Sequence, residues 1–118
     1  MYFPETITPL STSFFDEIEN LSNEEIAFEV IKQFVGNEIP DAELKNIINE
    51  TLCFDFPLVS VEENIYSLEL FHGPTMAFKD VGARFMSRCL GYFNKNNDKQ
   101  VTVLVATSGD TGGAVASG

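Results

Sequence analysis

Positive charge is scarce in this 118-residue chain. Seven Lys and Arg stand against eighteen Asp and Glu, a formal net charge of −11. A surface this acidic repels phosphate backbones and anionic headgroups, which argues against nucleic-acid and membrane-surface binding. Tryptophan is absent and His72 is the single histidine. The two cysteines, Cys53 and Cys89, form neither a CxxC nor a Cys/His metal spacing, so no metal site is expected. Their simplest reading is two buried free thiols in a reducing compartment. No apolar run is long enough to span a bilayer and no signal peptide is evident, so a cytoplasmic location is expected. Repeats and low-complexity tracts are also missing. What remains is globular: 44% hydrophobic and 12% aromatic residues, within the size of one ordinary domain.

The first half reads as helical. Tyr2 to Pro9 is an extended lead-in, and Ser11 to Asn20 carries Phe14, Phe15 and Ile18 at helical spacing. Ser22 and Glu25 have the spacing of a capping box, in which each side chain satisfies the other's backbone N–H. Ile26, Val30, Ile31 and Phe34 then predict one apolar helix face that stops at Gly36. Pro40 opens the next helix, whose stripe is Leu44, Ile47, Ile48 and Leu52. The pattern changes at Pro57. Ile65 to Phe71 alternates like a strand, a helix is expected from about Asp80 to Phe93, and Val101 to Ala106 has the continuous apolar character of a strand buried on both faces. In that helix Val81, Phe85, Cys89, Leu90 and Phe93 are expected to point inward. The predicted class is α/β: a small helical N-terminal unit, 1–56, followed by an incomplete parallel βαβ piece, 57–118.

Two motifs carry chemistry. In Phe71-His72-Gly73-Pro74-Thr75-Met76-Ala77-Phe78-Lys79-Asp80, a lysine sits at the predicted helix start after a loop of small and apolar residues. A free lysine titrates near ~10.4, and burial with the positive end of a helix dipole both favour the neutral amine, the form that attacks a carbonyl. Phe78 would shield it. A capping or surface lysine beside Asp80 satisfies the spacing equally. The second motif is Thr107-Ser108-Gly109-Asp110-Thr111-Gly112-Gly113, between a strand and a helix. Hydroxyls and free amides at a helix start can hold a carboxylate or phosphate. A plain βα turn capped by Asp110 is the alternative. It is not a P-loop, since no Gly-Lys-Ser/Thr follows. His72 reads as a structural hydrogen-bonding residue, and the Glu pairs along the chain as solvated faces.

Together, Glu69 to Asp80 and Ala106 to Gly112 closely resemble the threonine synthases, fold-type II pyridoxal 5'-phosphate enzymes of the tryptophan synthase β family. The order of lysine strand, helix, strand and Ser-Gly-Asp-Thr loop also fits, and the resemblance extends over essentially the whole chain. It implies that Lys79 is the catalytic residue, carrying the cofactor as a Schiff base and later moving protons. It implies that Ser108, Gly109 and Thr111 hold the substrate's α-carboxylate. Asp110 falls where many relatives place an asparagine near the cofactor's phenolic oxygen. An aspartate offers no hydrogen there unless protonated. The implied reaction converts O-phospho-L-homoserine and water to L-threonine and phosphate.

The family's glycine-rich loop for the cofactor phosphate and its partner for the pyridine nitrogen lie beyond these residues. The chain therefore reads as a fragment, expected to be inert alone and able to self-associate through uncovered surface. Two other readings stay open: a fold-type II lyase acting on a different amino acid, and a non-catalytic association module.

Overall fold

The computed structural model describes residues 3–98 and 100–118. It is mixed α/β, with five α-helices, one 3-10 turn and a two-stranded sheet among those residues. The chain divides into two compact units, Met1–Asn49 and Glu50–Gly118.

The first unit is helical, for local reasons. Helix α1 (Thr12–Glu17) is capped by the Ser11 hydroxyl, which accepts from the Phe14 N–H, and it tightens into a 3-10 turn, Ile18–Asn20. Helix α2 (Asn23–Val35) begins with the expected capping box: Ser22 Oγ accepts from the Glu25 N–H at 3.2 Å, and Glu25 Oε2 accepts from the Ser22 N–H at 2.8 Å. It ends at Gly36, whose N–H donates to the Lys32 carbonyl. Helix α3 (Asp41–Thr51) follows Pro40, whose carbonyl accepts the Leu44 N–H. Leu44, Ile47 and Ile48 form the buried stripe, joined by Ile39 and Phe28. The α2 face differs from expectation. Phe28 is its buried residue, while Val30 and Phe34 are exposed. Lys32 and Lys45 lay their amines over the Phe28 ring at 5.3 and 4.7 Å, so this aromatic is covered partly by cations and not only by the apolar stripe.

The capping box gives a direct test. Ser22→Ala removes the acceptor for the Glu25 amide and is expected to destabilise the start of α2 by about 1 kcal/mol. Hydrogen exchange at the Glu25 amide should accelerate accordingly, while Ser22→Thr should keep most of its protection.

In the second unit, strands β1 (Leu58–Glu62) and β2 (Ile65–Leu68) form an antiparallel hairpin. Leu58 pairs with Leu68 and Ser60 with Tyr66, and an irregularity between Ser60 and Glu62 precedes the turn at Glu63-Asn64. Asn64 takes the left-handed conformation, φ 62°, which its short polar side chain tolerates. Helix α4 (Lys79–Asn94) packs on α5 (Asp110–Ser117), and the apolar residues buried on these two helices are Ala83 and Ala114. Arg84 of α4 donates to the Glu50 carbonyl and to Cys53 Sγ, and Arg88 pairs with the Glu50 carboxylate at 3.0 Å.

The sheet therefore corrects the expected pairing. The second predicted strand, 101–106, is assigned to no sheet among the described residues, and the first, at Ile65–Leu68, pairs instead with β1, antiparallel. Parallel pairing needs partners distant in sequence, whereas a hairpin closes on two turn residues. The apolar run is correspondingly wet, with Leu104 at 91% of full exposure. On α4, Val81, Phe85, Cys89 and Leu90 are half-buried and Phe93 is exposed, contrary to its expected inward position. Burial raises the Cys89 thiol above the usual cysteine range, which keeps it protonated and unreactive near neutral pH. Cys53, expected to be buried, is exposed.

Candidate active site

The lysine loop is built on close backbone packing. The Met76 N–H donates to the Gly73 carbonyl, and the Asp80 N–H donates to the Ala77 carbonyl. Met76 sits at φ 57°, a left-handed conformation that an unbranched side chain adopts only at some cost. The loop has little apolar anchorage, because both Met76 and Phe78 are largely exposed. Its polar anchor is Asp80, which is 1% exposed. The Asp80 carboxylate accepts from the Thr75 N–H at 2.9 Å and from the Thr75 hydroxyl at 2.5 Å. Gly73 lies against the same carboxylate: a Cβ there would meet Asp80 Oδ2 at 2.4 Å. Only glycine allows that approach.

Lys79 is the first residue of α4 and is half-buried. Its amine lies 4.4 Å from the Phe78 ring centroid, so it is covered by an aromatic face and not paired with Asp80. It lines a cleft of about 380 Å³ with Phe78, Gly82, Ala83, Met86, Thr111 and Val115. The fold thus brings Lys79 and Thr111 to one mainly apolar cleft between α4 and α5. Asp110, the first residue of α5, lines a second cleft of about 390 Å³, with Phe71, Met76, Ala77, Phe78 and the end of β2. Phe78 borders both. Ser108 and Gly109 are exposed and line neither.

The Ser108-Gly109 corner depends on backbone freedom. Gly109 has φ 150° and ψ −74°, outside the range of residues with a Cβ. Its N–H donates to Thr107 Oγ1 and its carbonyl accepts the Gly113 N–H, which starts α5. His72 pairs with Glu69 at 2.7 Å and stacks on Phe71, in keeping with a structural role. A third cleft, about 320 Å³ in the first unit, contains Phe28 and Lys45 and none of the predicted site residues. No group of three or more His, Cys, Asp or Glu among the described residues is placed to hold a metal ion.

The sequence reading missed Asp80. It entered only as a neighbour of Lys79, whereas the fold buries it against Thr75. The available signal was the spacing of Thr75 and Asp80 around a helix start, where an acid near the N-terminus is favourable.

Comparison with known proteins gives the chain's relatives. The family model described as "Threonine synthase N terminus" matches residues 1–52. The threonine synthase of Haemophilus influenzae is 44% identical over 116 residues, covering 98% of this chain and 26% of the relative. The crystal structure of threonine synthase from Escherichia coli superposes with a TM-score of 0.88 at 42% identity, over 98% of this chain and 26% of that one. The structure described as PLP-bound threonine synthase from Brucella melitensis gives the same TM-score at 36% identity, again covering 98% and 26%. The chain spans about a quarter of the length of these relatives. In sequence, in backbone course and in its N-terminal match, the chain corresponds to the N-terminal quarter of the threonine synthases.

Proposed function

We propose that these residues are the N-terminal part of a pyridoxal phosphate-dependent threonine synthase, a carbon–oxygen lyase that converts O-phospho-L-homoserine and water to L-threonine and phosphate. The observation that carries the reading is the shared cleft: Lys79 at the start of α4 and Thr111 at the start of α5 line one apolar-walled space. That donor set fits the cofactor. An amine is held against an aromatic face, and a hydroxyl stands beside a helix N-terminus suited to anions. When bound, pyridoxal phosphate supplies an electron sink for carbanions. In this reading Lys79 holds the cofactor and then carries protons to and from the substrate carbons. Thr111, with the hydroxyl of Ser108 and the backbone of Gly109, takes the substrate carboxylate. Asp110 is assigned to the cofactor's side of the second cleft by its motif position.

The isolated 118 residues are expected to turn over nothing, because both clefts are open and the 101–105 run is uncovered. That uncovered run, with the exposed hairpin, favours self-association of the isolated piece. We place the enzyme in the cytoplasm, in keeping with the two free thiols of these residues.

The test is borohydride trapping with pyridoxal phosphate on the full-length protein, followed by peptide mass mapping. A single adduct on Lys79 is expected. Label missing from Lys79, or scattered over surface lysines such as Lys45, would remove the catalytic reading and leave the association module.

A further inference from the structure

We infer that Asp80 is a positioning residue for Lys79: its buried carboxylate, clasped by Thr75, sets where the lysine amine enters the cleft. The inference rests on the proposed role of Lys79 and deepens it. Three observations carry it. Asp80 is 1% exposed and accepts two hydrogen bonds from Thr75, one from the backbone N–H and one from the hydroxyl. Gly73 contacts the same carboxylate closely, so the loop folds around it from both sides. The residues between them give the loop little other hold, since Met76 and Phe78 are exposed and Met76 is in a left-handed conformation.

Lys79 is the residue next to Asp80 and starts the helix. Its Cα is therefore placed by whatever fixes the loop-to-helix junction, and the Asp80–Thr75 pair fixes it. A buried carboxylate with both oxygens engaged is costly to break, because the freed oxygen finds no water. The junction is thus rigid where a reacting amine needs it to be, and misplacement by an ångström is enough to slow chemistry. Asp80 itself touches no substrate in this account. It acts through Lys79.

Asp80→Ala would empty a buried site and so confound positioning with unfolding, so Thr75 carries the test in the full-length protein. Thr75→Val keeps the shape and deletes the hydroxyl bond, and Thr75→Ser restores the hydroxyl. The first readout is the rate of borohydride-trapped pyridoxal phosphate at Lys79. The second needs no cofactor: reductive methylation of Lys79 in cofactor-stripped protein, referred to Lys45 in the same sample. Thr75→Val should slow trapping at Lys79 by about tenfold or more and shift its methylation rate relative to Lys45, and Thr75→Ser should return both toward the parent values. Unchanged rates in Thr75→Val would overturn the inference, as would equal slowing in Thr75→Ser. If the unaltered protein never labels at Lys79, the proposed function fails separately. The methylation ratio then still decides whether Asp80 and Thr75 place the amine.

Discussion

Lys79→Ala in the full-length enzyme should lower turnover by on the order of 10³-fold or more, the scale lost when one group serves as both covalent anchor and proton carrier. The loss should fall on kcat, because the groups assigned to the substrate carboxylate, Ser108, Gly109 and Thr111, are untouched. Stability should hardly change. Lys79 is half-buried, and its visible contact is the Phe78 ring at 4.4 Å, an interaction worth about 0.5–1 kcal/mol at an exposed site. A small primary amine in the buffer should restore part of the activity, since the alanine leaves room in the cleft beside Gly82 and Thr111. Lys79→Arg should not be restored: its guanidinium stays charged and fills the same space. Steady-state kinetics of the three proteins with O-phospho-L-homoserine decide this. Full activity in Lys79→Ala would end the catalytic assignment.

Gly73→Ala should have the largest effect on the fold around the site. The added Cβ would lie 2.4 Å from Asp80 Oδ2, 2.9 Å from its Cβ and 3.0 Å from its Cγ. Asp80 is buried and bound twice to Thr75, so it cannot swing aside without losing both bonds. Overpacking of this kind, with the strain of breaking a buried hydrogen bond, costs about 2–3 kcal/mol. Amide exchange in the first turn of α4 should speed up, and thermal unfolding should shift down. Gly91→Ala is the matched control. It lies within α4 with open space around its Cβ, and it should be neutral or stabilising by about 0.5–1 kcal/mol. Equal behaviour of the two variants would show that the Gly73–Asp80 approach is not tight in solution.

What the residue pattern revealed, it revealed where causes are local. The Ser22–Glu25 box, the stripe of Leu44, Ile47 and Ile48, and the helix beginning at Lys79 each depend on residues within a few positions. Lys79 and the Ser108–Thr111 corner were legible as motifs for the same reason. Packing across the sequence was not. Val101 to Ala106 has the composition of a buried strand, but burial requires neighbours that the described residues do not supply. The β1 strand escaped notice because its alternation of Val59 and Val61 with Ser60 and Glu62 is short, and the hairpin shows only once Leu58 meets Leu68. Asp80 was legible only as an acid at a helix start, since that placement does not say the side chain will turn inward to hold a threonine five residues back.

The uncovered run at 101–105 has a consequence during synthesis. The helices of the first unit close on contacts a few turns apart, so they can form as soon as they leave the ribosome. Val101, Val103, Leu104 and Val105 emerge afterwards and join neither strand of the hairpin already made. Throughout that interval the nascent chain displays an exposed apolar segment after the first helices have already set. Slowing translation beyond this point should therefore prolong the dwell of holding chaperones on the nascent enzyme, and a charged residue at Leu104 should shorten it.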